Sequence, residues 1–130
     1  MNNNDIIKEW LRFSETDLAA AQHLYNNMYP KPLEIICYHC EQSAEKALKG
    51  FLIYNGLESP RTHDLPLLCD KCVELNSGLE KIYDACEFLT IYGVQPRYPY
   101  QLDISVIDTE HALEYAKYIY VHILELINLV

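Results

Sequence analysis

Apolar residues recur along most of this chain at alternating spacings of four and three, the stripe of a helix buried on one side. From Asn4 to Met28 the row is Ile7, Leu11, Ser14, Leu18, Ala21, Tyr25 and Met28. A second row, Ile6, Trp10, Phe13, Ala20 and Leu24, widens that face and takes in Asp17. Tyr29-Pro30-Lys31-Pro32 stops the helix, and Pro32 suits the first turn of the next one. From Leu33 to Tyr54 a bundle seam runs through Leu33, Cys37, Cys40, Ala44, Ala47, Phe51 and Tyr54, and Gly56 is the C-terminal stop. Asp64 as N-cap, with Pro66 behind it, opens a third helix that ends near Asn76. Ser77-Gly78-Leu79-Glu80 reads as a capping box for a fourth, which reaches Tyr92-Gly93. Asp108 or Thr109 caps a fifth, whose seam is Ala112, Ala116, Ile119, Ile123, Leu126 and Val130.

The pattern predicts an all-α fold without sheet. It is an antiparallel up-and-down bundle of about five helices, four long and one shorter, forming a single domain over residues 1–130. Residues 94–107, VQPRYPYQLDISVI, show no helical stripe, and long connections of this kind inside a compact domain are often functional. Tyr115, Tyr118 and His122 form a further row on the last helix. That row is either a wider core face or an interface between two copies, and we read it as a homodimer interface.

Composition narrows the function classes. At 130 residues the chain is long enough for a real core, and with half of its residues apolar it is not a disordered segment. It opens without the pattern of a signal peptide, and its apolar runs fall short of the ~18 residues of a membrane span, so a cytoplasmic location is expected. Five cysteines, an odd number, read as reduced thiols. The net charge is −9, and the ten basic residues are scattered. Without a basic stripe, any nucleotide or RNA site has to be a local pocket or one completed by a partner.

Candidate chemistry lies in two places. Cys37/Cys40 and Cys69/Cys72 form two CxxC pairs, a spacing that zinc sites use. Both fall inside helical stripes, so they read as core residues, and no metal or cofactor is expected. No HExxH, phosphate-cradling glycine loop or nucleophile motif is present. The second helix carries a polar row, His39, Gln42, Lys46 and Lys49, with Glu45 and Lys49 at i, i+4. It is either a solvated face or a surface where a phosphate meets Lys46 and a base or partner meets His39 and Gln42. The loop RYPYQLD offers Arg97 as a phosphate ligand and Tyr98 and Tyr100 as stacking rings. Its bland alternative is an Arg97 ion pair with tyrosines packing the loop.

Several segments in order carry a resemblance. His39, Glu41, Gln42, Ala44, Glu45, Lys46, Leu48 and Lys49 are followed by Thr62-His63-Asp64-Leu65 and then by Arg97-Tyr98-Pro99, with Trp10 and Asp17-Leu18 upstream. Together they resemble the HEPN domains (higher eukaryote and prokaryote nucleotide-binding). The resemblance implies a helical bundle, commonly a homodimer and commonly paired with a minimal nucleotidyltransferase in toxin–antitoxin-type systems. Many members are metal-independent endoribonucleases with an Arg followed four to six residues on by a His. Here the positions four to six after Arg97 are Gln101, Leu102 and Asp103. The expected function is therefore a binding or regulatory module for a nucleotide, RNA or nucleotidyltransferase partner. The alternatives are an endoribonuclease using Arg97 with Asp103, and a structural interaction protein without ligand.

Overall fold

The computed structural model describes residues 2–93 and 103–129. Among them are α1 (Asn3–Asn27), α2 (Leu33–Tyr54), α3 (Leu65–Leu75), α4 (Tyr83–Leu89) and α5 (Val106–Leu126), and no strand. The predicted antiparallel all-α bundle is the observed fold. Three helices are long, where four were expected. The predicted fourth helix is instead a 3₁₀ segment (Ser77–Ile82), the short α4 and a second 3₁₀ segment (Thr90–Gly93).

α2 is the centre of the bundle and packs against α1, α3, α4 and α5. From Cys40 to Leu52 only Gln42 and Lys46 escape full burial. A helix enclosed on almost every side needs more than one apolar stripe. Ile36, Leu48 and Leu52, which lie off the predicted seam, are completely buried. α1 packs tightly on α2 at Gly50, where a Cβ would lie 3.2 Å from that of Trp10. About two turns earlier in α2, Ser14, the polar member of the α1 row, is buried and donates to the Ser43 carbonyl at 2.7 Å. A hydroxyl in an apolar row is thus satisfied by the neighbouring helix backbone.

Both CxxC pairs lie within helices, Cys37 and Cys40 in α2 and Cys69 and Cys72 in α3, and all four are completely buried. Burial pushes the Cys37 thiol up to about 11 and the Cys72 thiol to about 12, so both stay protonated at neutral pH. They hydrogen-bond within the core, Cys37 to Thr109 Oγ1 at 3.6 Å and Cys72 to the Leu48 carbonyl at 3.7 Å.

Two caps differ from those predicted. Asn76, not Ser77, accepts from the Gly78 N–H at 2.9 Å and starts the 3₁₀ segment. Ser105, not Asp108 or Thr109, is the N-cap of α5. It accepts from the Asp108 N–H, and the Asp108 side chain accepts from the Ser105 N–H in return. Asp108 therefore occupies the third position of a capping box, and the buried Thr109 bonds back to the Ser105 carbonyl. The row on α5 also divides. Tyr115 packs edge-on against Phe88, with ring centroids 5.0 Å apart, whereas Tyr118 and His122 pair with each other at 4.3 Å toward the outside. Among the described residues, no helix is long and apolar enough to cross a membrane.

The cap assignments separate by mutation. Asn76→Ala should cost about 1 kcal/mol in urea unfolding, as should Ser105→Ala, while Ser77→Ala should stay within about 0.5 kcal/mol. An equal loss for Ser77→Ala would restore Ser77 as the cap.

Candidate polar site on the central helix

At about 100° per residue, Glu41, Glu45, Lys49, Gln42, Lys46 and His39 fall on one continuous arc of α2 roughly 160° wide. The arc lies partly under α1 and partly under the loop before α3, and the structure sorts it into two clusters.

The first cluster bridges α1 and α2. Asp17 accepts from Lys46 Nζ at 2.5 Å through one oxygen and meets His39 Nδ1 at 2.9 Å through the other. Burial works against the ionised Asp17 carboxyl. The hydrogen bonds and charges of His39 and Lys46 outweigh that and hold it below the usual aspartate range. An ionised carboxylate only accepts, so Nδ1 carries the proton and the imidazole turns its Nε2 away from Asp17. Lys46 Nζ also sits 5.7 Å from the Phe13 ring centre, and Arg12 lies 4.6 Å over the same ring. Beside them Ile6, Glu9, Trp10 and Phe13 line an apolar cavity of about 300 Å³.

The second cluster joins α2 to the Thr62-His63-Asp64 loop. Glu45 accepts from Lys49 Nζ at 3.0 Å and meets His63 Nδ1 at 2.7 Å. The Glu45 and Lys49 side chains are 6% and 8% exposed, while His63 is 74% exposed. One turn back lies Glu41, completely buried. Gln42 donates to its Oε1 at 2.8 Å, and its Oε2 has no hydrogen-bond partner among the described residues. Gly93 covers it so closely that a Cβ there would lie 2.8 Å from Oε2. Burial, then the neighbouring Glu45 charge, pushes the Glu41 carboxyl up to about 8.

The predicted row is therefore split. His39 and Lys46 converge on Asp17, Gln42 turns to Glu41, and Lys49 is drawn inward by Glu45. The predicted ligands Arg97, Tyr98 and Tyr100 lie outside the described residues. Asp103 is exposed ahead of the α5 cap. Neither a hydrogen bond nor an ion pair among the described residues ties it to either cluster. Asp17, Glu41, Glu45 and His63 were not among the predicted site residues. The signal for Asp17 was a carboxylate inside an apolar row, and for Glu41 and Glu45 a four-residue spacing beside the buried seam. His63 had only its place in the Thr-His-Asp-Leu segment. No group of three or more His, Cys, Asp or Glu among the described residues has the arrangement of a metal site.

The family model of the HEPN domain matches residues 7–126. The crystal structure of TT1696 from Thermus thermophilus is similar with a TM-score of 0.78 and 25% identity, covering 98% of this chain and 100% of that one. The crystal structure of ST0689, an archaeal HEPN homologue, is similar with a TM-score of 0.72 and 25% identity, covering 94% and 98%. No curated protein matches.

The buried Glu41 carboxyl gives a pH signature. The unfolded chain releases this proton near 4.5 and the folded chain near 8. Between the two the folded state binds more protons, so its stability falls as pH rises through that window. Glu41→Gln should flatten the fall, gaining roughly 1–3 kcal/mol at pH 9 and almost nothing at pH 5 in urea unfolding. A variant destabilised at pH 9 would show that the charged form is favoured in the fold.

Proposed function

This chain belongs to the HEPN domain family, of nucleotide-binding and nuclease type, and from that premise we propose that it binds a nucleotide or RNA as a regulatory module. The observation that carries the reading is the Asp17–His39–Lys46 cluster beside the Trp10/Phe13 cavity. Lys46 and Asp17 cancel each other's charge, so this cluster presents no net negative charge to an anion in an otherwise acidic chain. A phosphate meets Lys46 Nζ and the outward Nε2 of His39, and a base lies against Phe13 and Trp10. Arg97, with Tyr98 and Tyr100, adds a second cation and stacking rings from the connection ahead of α5. A pocket of this kind needs no basic stripe, which the sequence lacks.

Two assembly proposals accompany it. Tyr118, Val121 and Leu124 leave apolar surface exposed along α5, which supports a two-fold homodimer. A minimal nucleotidyltransferase is the protein partner that family membership favours. RNA cleavage with Arg97 and Asp103 is the competing reading, and no described contact of Asp103 favours it.

Fluorescence anisotropy with a nucleotide panel and a short labelled RNA tests the site. Lys46→Ala and Arg97→Ala should each weaken binding by roughly 1–3 kcal/mol. Equal binding by wild type and both variants would sink the proposal, and EDTA-resistant RNA cleavage lost in Arg97→Ala would replace it with the nuclease. Light scattering over a dilution series should give twice the chain mass; a monomer throughout the micromolar range would remove the homodimer.

A further inference from the structure

The second cluster has a feature that a packing role does not require. Glu45 and Lys49 form a nearly closed ion pair inside the bundle, and a buried pair of this kind is already neutral. Yet the remaining Glu45 oxygen is directed at a histidine that is mostly in solvent. His63 is held at two points. Its Nδ1 bonds Glu45 at 2.7 Å, and its carbonyl accepts from Thr90 Oγ1 at 3.5 Å, the same hydroxyl that accepts the Leu65 N–H at 3.1 Å. The loop backbone and the ring are both fixed, and no hydrogen bond among the described residues engages Nε2.

Asp17 builds the same device nearby: a carboxylate shared between a lysine and a histidine Nδ1, with Nε2 facing out. Six residues of α2, about 9 Å of helix, separate His39 from the Glu45 that anchors His63. We propose that His63 is a second phosphate-binding position, distinct from the His39–Lys46 position, and that the two together hold phosphates of one single-stranded nucleic acid. This rests on the nucleotide-binding reading above. Two positions anchored on different turns of α2 suit a chain of nucleotides, whose phosphates are spaced along a backbone, better than the single phosphate of AMP.

The charges around His63 allow an anion there. From α2, Glu45 is neutralised by Lys49, and Glu41, with its carboxyl raised to about 8, is largely uncharged at neutral pH. From the loop, the Asp64 carboxylate is taken up by the Leu67 N–H at the start of α3, and Arg61 is exposed two residues ahead of His63. The 3₁₀ segment contributes the neutral Thr90.

The test uses the whole chain and three probes: AMP, ATP and a fluorescein-labelled hexauridylate. His63→Gln keeps a donor for Glu45 but removes the ring nitrogen Nε2. It should weaken hexauridylate binding about tenfold, while AMP and ATP bind as in wild type. His63→Arg, which supplies a guanidinium to the phosphate, should recover part of the loss, and that recovery separates a lost phosphate contact from a disturbed fold. Hexauridylate binding unchanged in His63→Gln but weakened in Lys46→Ala would remove this inference and leave the nucleotide site standing. An equal loss for AMP would merge His63 into the first position, and a loss for ATP would replace the strand by a phosphate chain. A wild-type protein that binds none of the three overturns both proposals.

Discussion

The enclosure of α2 is the constraint from which the rest of the structure follows. One helix is covered by four others, so each polar group on its buried arc needs a partner from a neighbouring element or has to lose its charge. Ser43 receives Ser14 from α1, and Lys46 receives Asp17 from α1. Glu45 receives Lys49 from its own helix and His63 from the loop before α3. Glu41 receives only Gln42 among the described residues, and its carboxyl adjusts by holding its proton. The polar contacts that join the helices and the candidate site are thus the same set of side chains.

That coincidence has an energetic consequence. Buried ion pairs contribute little net stability against an apolar core of the same shape, yet removing one partner leaves a charge stranded. A bundle designed only for stability would fill positions 41, 45 and 49 with leucine-like residues. Keeping charges there leaves two imidazoles held by buried or half-buried carboxylates, each ring fixed in its direction. Each carboxylate fixes the tautomer and direction of its histidine, much as outer-shell groups orient metal-bound imidazoles.

The fold was legible because its signals are local. Helix spacing, Pro32, Asp64 and Gly56 marked α2 and the start of α3, and Leu33–Tyr54 was recovered without error. Errors arose where two local signals competed. Asn76 and Ser77 are both good caps, and only the backbone path decides which side chain reaches the Gly78 N–H. Ser105 was overlooked because the residues before it lack a helical stripe, although Ser105 and Asp108 together have capping-box spacing. The site was less legible. His39 and Lys46 were visible as a polar row, but a row on one helix does not show that Asp17, twenty-two residues before His39, supplies the group between them.

The sequence by itself determined the three long helices, α3, the family and the core character of both cysteine pairs, because these depend on residue type and on spacing along the chain. Only the tertiary structure decided which charges are buried, which histidines are held and which lysine remains at the surface. Lys46 and Lys49 are three residues apart and chemically identical. One faces Asp17 at the rim and the other is sealed against Glu45, because α1 covers one side of α2 and the loop before α3 covers the other. That difference is set by what packs over each position, and no local pattern encodes it.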